Sequence, residues 1–215
     1  YCNWLHNDKA TNREAFLDGA YDASTFTYFG NIFQDQFTHH ANAKYWIPTW
    51  DEWLKAAHYD PNKVNPDGTV GGWWKYSTTS DTEPTRGVPG VGQTNTGGGI
   101  PNPFGIPLGA YTDVTSPWGL YDVAGATSEW TEEVFTGPGL PPSRVFDGSW
   151  WVDGSVGNDA ICYQGGTDFP SIAIFDTGFR IASSVPSPGS LLVVLPCGIF
   201  WGLKRSRRHT PCSRK

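Results

Sequence analysis

The 215-residue sequence has no methionine, few charged residues (17%), no CxxC pair among its four cysteines, and no stretch of apolar residues long enough for a membrane helix. Each lack excludes something. Without a Met, the chain is expected not to begin at its own start codon, so Tyr1 reads as an internal position and any export signal would lie upstream. With so little charge and eleven Trp, the sequence does not describe a bundle of amphipathic helices; it describes a loop-rich domain propped by large aromatics. The basic residues are also badly distributed for a nucleic-acid partner. Six of the 15 lie in the last twelve positions, which leaves 9 basic against 21 acidic residues, a net of −12, on the rest of the chain. Such a body repels phosphate and is compatible with cation binding. Of the cysteines, Cys197 falls in an apolar run and Cys212 in the basic end, leaving Cys2 and Cys162 to the domain. They read as two small buried side chains, with a disulfide between them as the alternative.

What is present supports one core plus a tail. Residues 1–9 read as the end of a helix whose apolar side is Cys2, Trp4 and Leu5. Residues 9–44 give no clear pattern beyond a strand or turn near Gly19-Ala20-Tyr21 and an aromatic run at Phe26, Tyr28, Phe29 and Phe33, and the adjacent His39 and His40 read as solvent-facing loop residues. A helix is predicted over Tyr45 to Asp60, where Thr49 and Glu52 form a capping box and Trp50, Trp53, Leu54 and Ala57 recur at helical spacing. Glu52 is explained by that cap and not by acid catalysis. From Pro61 to Thr115 the chain reads as loop, with NPDG at 65–68, a Gly triplet at 97–99 that lacks the strand, lysine and helix of a phosphate cradle, and an aromatic patch at Trp73, Trp74 and Tyr76. That patch reads as a core prop, though an exposed Trp pair also suits sugar rings.

Two short strands are expected to bracket a long irregular loop between Arg144 and Arg180, the first turning on Gly148 and the second ending in Gly178-Phe179-Arg180. A loop of this length has a job. Ahead of it, Asp122 and Glu129 flank Gly125, and a tight turn there gathers two carboxylates with nearby carbonyl oxygens, the hard donors that suit Ca²⁺. The alternative is an Asp that caps a turn and a Glu that is simply solvated.

Four stretches, YCNWL at 1–5, IPTWDEWLKAA at 47–57, SPWGLYDVAGATSEWT at 116–131 and the segment from Gly148-Ser149-Trp150 to Arg180, resemble in this order and spacing the formylglycine-generating enzyme, or sulfatase-modifying-factor, family. The resemblance covers nearly all of residues 1–183. It implies an α+β, C-type-lectin-like, loop-rich fold over residues 1–184, N-terminally truncated and missing its opening strands. It also implies that the positions matching Asp122, Gly125, Thr127 and Glu129 hold calcium, two by side chain and two by main-chain carbonyl. Active members carry two cysteines that bind copper as thiolates; those positions here are Val152 and Gly157, so copper is not expected. Cys162 matches a structural cysteine, Ala126 replaces an Asn, Ser128 replaces a Trp of the family's active-site wall, and Asp147 replaces a Gly. The resemblance therefore points to a non-catalytic, exported relative that binds a glycan or peptide ligand, with a copper-dependent oxidase of sulfatase cysteines as the alternative.

After Ala182 the composition changes. Val185-Pro186-Ser187-Pro188 leads into thirteen apolar or small residues, 191–203, and then the basic cluster 204–208. Residues 185–215 resemble the PEP-CTERM signal read by exosortases, with Ser187 in place of the usual Glu. The run is shorter than the roughly 20 residues of an independent span, but its basic flank fits a segment that stops on the cytoplasmic side. The expected localisation is the cell envelope or surface.

Overall fold

A computed structural model of the protein describes residues 1–184 apart from 98–99, 101–104, 124, 126, 153, 164 and 173–175. The architecture is α+β, rich in short strands and loops. Its centre is a four-stranded sheet in the order β8-β7-β6-β9, built from β6 (Ser128–Phe135), β7 (Ser143–Asp147), β8 (Gly166–Asp168) and β9 (Thr177–Phe179). β6 pairs antiparallel with β7 and parallel with β9, and β7 pairs antiparallel with β8. The two strands expected around the long loop are therefore β7 and β9. The loop between them is less irregular than expected, since it contributes β8 and a 3₁₀ turn over Val156–Asp159.

Against this sheet packs α3 (Trp50–His58), whose start is fixed by the predicted box: Thr49 Oγ1 accepts the Glu52 amide at 3.2 Å and Glu52 Oε2 accepts the Thr49 amide at 2.9 Å. Trp53 and Ala57 are buried with Val123, and Leu54 and Leu120 close the cluster. The helix is shorter than predicted at its front. Tyr45–Trp46 form β3 instead, paired with β10 (Ala182–Ser183), so the end of the domain is laced to the approach of α3. α1 (Cys2–His6) buries Cys2 against Ala20 and Ala43. Its other buried residue is Asn3, where Trp4 had been expected; the Asn3 amide donates to the carbonyls of Phe16 and Tyr21, and its oxygen accepts the Tyr21 amide. That exchange explains the burial of a polar side chain.

Further elements lie where no regular structure was expected. α2 (Glu14–Leu17) and the hairpin of β1 (Thr27–Phe29) and β2 (Ile32–Gln34) occupy the unpatterned 9–44 stretch. β4 (Tyr59–Val64) and β5 (Val70–Trp73) form a hairpin at the start of the presumed loop, with NPDG as its turn. Lys63 is buried there, its ammonium held by Asp81 at 2.7 Å and lying 4.0 Å over the Trp74 ring. The aromatic patch is split: Tyr76 is fully buried whereas Trp73 is 48% exposed. Cys162 is exposed and disulfide-bonded while Cys2 is a free buried thiol, so the two do not pair and only Cys2 is the small buried side chain expected. The tail at 185–215 lies outside the described residues.

Candidate functional site

The 3.6-residue period of α3 aims the indoles of Trp50 and Trp53 at the same sheet. The antiparallel register puts Glu129 of β6 opposite Asp147 of β7. Trp53 Nε1 donates to Glu129 Oε2 at 2.7 Å and Trp50 Nε1 donates to Asp147 Oδ2 at 2.5 Å. Both carboxylates are buried. Burial pushes both up from the usual carboxylate range, Asp147 to about 6, and a negative neighbour adds to it in each case, Asp122 at Glu129 and Glu129 at Asp147. Arg180, the end of the Gly-Phe-Arg motif, opposes this at Glu129 with an ion pair at 2.6 Å, which its place beside β6 on the end of parallel strand β9 allows.

Arg180 also reaches two of the four residues expected to hold calcium, Asp122 and Glu129. Its Nη2 donates to the carbonyls of Tyr121 and Asp122 at 2.9 and 2.8 Å, so one guanidinium spans from Glu129 to the Asp122 turn. Asp122 itself sits at φ +55°, and its Oδ2 accepts the Gly109 amide at 2.6 Å. Glu129 is thus neither solvated nor a lone acid. Gly125 is buried at φ +78°, and a Cβ there would come within 2.5 Å of Thr94 Oγ1 and 2.6 Å of Asn95 Oδ1, so only glycine fits. Its carbonyl accepts the Thr127 amide at 2.9 Å, and Thr127 is exposed. Glu129 Oε1 and Asp122 Oδ1 carry none of these bonds, and among the described residues no group of three or more His, Cys, Asp or Glu side chains gathers as a metal site.

The positions matching the copper thiolates offer no such fit. Val152 is 43% exposed on the loop after Trp150 and Trp151, whose rings meet edge to face at 6.1 Å. Gly157 lies in the 3₁₀ turn, its amide donating to Ser155 Oγ at 3.1 Å. Neither residue has a donor atom in its side chain, and the Cys162 sulfur is engaged in a disulfide. Ser149, which the segment keeps, is fully buried: its hydroxyl contacts Asp159 and, at 2.6 Å, Thr96, and accepts the Gly125 amide at 3.1 Å. This hydroxyl chain braces the turn at Gly125 from beneath and leaves Ser149 no access to solvent.

A second polar cluster was not legible in the sequence. Glu132 of β6 is buried and receives the Tyr21 hydroxyl at 2.5 Å, the His39 amide at 3.0 Å and His39 Nδ1 at 2.8 Å. His39 is stacked on Trp46 at 4.6 Å, so it is not the solvent-facing residue that sequence suggested. Beside it, Arg144 is buried and paired with Asp35 at 2.9 Å. Burial and Glu132 together push the Tyr21 hydroxyl far above its ordinary range. The only sequence signal was a Glu-rich β6 in a chain with few charges, and it names no partners.

The family described as Sulfatase-modifying factor enzyme 1-like domain matches residues 1–185, most of the chain. The chain belongs to this family. Among solved structures, one titled "Crystal Structure of CarF" is similar at 24% identity and a TM-score of 0.47, covering 69% of this chain. The chain spans about half the length of that structure, 51%. No curated protein matches.

Proposed function

We propose that this member of the sulfatase-modifying factor enzyme 1-like family is non-catalytic, is exported to the cell surface, and binds a glycan or peptide through its long loops on a C-type-lectin-like framework. The observation that carries the reading is the donor chemistry at positions 152 and 157. Copper in the +1 state needs paired soft sulfur ligands; valine offers methyl groups, glycine offers none, and the two domain cysteines are respectively buried in α1 and tied in a disulfide. Exposed aromatics on the loops, Trp118 at 53% among them, support stacking on sugar rings. Calcium at Asp122, Gly125, Thr127 and Glu129 is part of the proposal, with its ion beside the Arg180 bridge. Residues 185–215 serve as the sorting address and bring the chain to the membrane at least transiently, with an exosortase-type machinery as the partner.

The deciding experiment is Cu(I) competition against a chelator together with mass spectrometry of a sulfatase-motif peptide. No copper retention and no loss of the peptide thiol above a protein-free control are expected. Copper-dependent conversion of the cysteine to formylglycine sinks the reading and restores the oxidase.

A further inference from the structure

A cavity of about 360 Å³ lies apart from the calcium and copper positions, lined by residues of α1, α2, the β1–β2 hairpin, β6 and β7. Its walls are aromatic: Phe16, Tyr21, Phe26, Phe33 and Trp130. Phe26 and Phe33 meet edge to face at 5.7 Å, which fixes one side. The polar part is unusual. Three charged side chains line the cavity, Asp35, Glu132 and Arg144, and the guanidinium is fully committed. Arg144 Nε and Nη2 donate to Asp35, Nη2 also to the Gln36 carbonyl, and Nη1 to the carbonyls of Phe37 and Glu132, which consumes all five N–H donors. An anionic ligand would find no free guanidinium N–H there. Glu132 keeps acceptor capacity on Oε2, which among the described residues carries only the contact from His39 Nδ1. Among the lining side chains, two carboxylates stand against one spent guanidinium, set among ring faces that attract cations.

We propose that this cavity binds a small organic cation: a primary ammonium on an aromatic or compact apolar body, its charge directed to Glu132 and its body against Phe26, Phe33 and Trp130. The volume is at the lower end of small-molecule sites. Cys2, a free thiol, lines the same cavity and supplies an independent reporter. The assignment rests on the reading of the chain as a binding module but concerns a surface other than the long loops.

The test uses the full chain and three probes of one size: 2-phenylethylamine, neutral 2-phenylethanol and anionic phenylacetate. Binding is read by calorimetry, and Cys2 alkylation by N-ethylmaleimide is read from the mass of its peptide. The amine is expected to bind about tenfold or more tightly than either counterpart, to slow Cys2 alkylation, and to lose about tenfold in Glu132→Gln. Should Glu132→Gln fail to fold, Phe26→Ala, at a half-buried wall position, keeps the question open to measurement: the amine must weaken while circular dichroism stays unchanged. Equal binding of phenylacetate, or no amine binding with Cys2 alkylated at the same rate with and without it, overturns the assignment. Either result leaves the non-catalytic reading standing, and formylglycine formation would overturn that reading without touching this one.

Discussion

Glu129 and Asp147 face one another across the β6–β7 ladder, and each accepts one indole N–H from residues three apart on the same helix. The sheet and α3 are therefore joined through two buried carboxylates as well as through the Trp53, Ala57 and Val123 contact. Hydrogen bonds to charged groups contribute about 1.5–3 kcal/mol, and more is lost when a buried acceptor is left alone. Trp50→Phe is expected to destabilise the domain by at least about 2 kcal/mol. In a double-mutant cycle with Asp147→Asn, urea unfolding at pH 7 should return a favourable coupling of about 1 kcal/mol or more. Additivity of the two changes would show that the indole contributes only its packing.

Two buried groups pull the pH dependence in opposite directions. His58 is held neutral by burial, its pKa lowered to about 4, so the unfolded chain binds the proton more readily and stability is lost as pH falls from about 6.5 to 4. Asp147 is raised to about 6, so its contribution is present in acid and is lost as pH rises through that value. Between pH 4 and 7 the stability of Asp147→Asn relative to the parent should rise by about 2 kcal/mol, one pKa unit being 1.36. His58→Gln should instead flatten the loss below pH 6.5. Chemical denaturation at pH 4, 5.5 and 7 checks both, and a parallel shift of all three proteins at every pH would refute the assignment of these groups.

The parts legible in sequence were those with local causes. The capping box set the start of α3 within its own four residues, and Gly148 and the Gly-Phe-Arg motif marked the ends of β7 and β9. β6 was missed because its buried positions are Ser128, Glu129, Thr131 and Glu132, which reverse the usual apolar signal; what licenses their burial is Trp53, Arg180, Tyr21 and His39, all brought in from distant segments. The β4–β5 hairpin was missed for a related reason, since Lys63 is its buried side chain and Val64 and Val70 are exposed. At the candidate site, the sequence brought Asp122 and Glu129 together but could not reveal that Arg180 spans them.

The tail supplies a third test. β10 ends at Ser183 already paired with β3, and the Ser184 amide donates to the Lys44 carbonyl at 3.3 Å. Compared in reducing buffer, where the Cys162 disulfide is absent from both chains, a chain ending at Ser184 should therefore keep the melting temperature and circular dichroism of the longer one within a degree or so, a change worth only a few tenths of a kcal/mol. Loss of cooperative unfolding on truncation would make the 185–215 segment part of the fold and remove the sorting reading.

The fourth expectation concerns calcium and the guanidinium beside it. Arg180 already neutralises Glu129 through Oε2, so an ion must be held by Oε1, by Asp122 Oδ1 and by carbonyl oxygens, without displacing Arg180. That geometry predicts modest affinity, because the ion shares its carboxylate with a fixed positive charge. At 100 times its dissociation constant, Ca²⁺ still adds about 2.7 kcal/mol to stability, and chelator should lower the melting temperature accordingly. Asp122→Asn combined with Glu129→Gln should abolish the difference. Arg180→Gln separates the two cations: it destabilises the domain without calcium, and it should enlarge the calcium-dependent shift, since the repulsion is gone. An unchanged melting temperature with millimolar Ca²⁺ in both the parent and Arg180→Gln would mean that the guanidinium is the only cation this turn was built to hold.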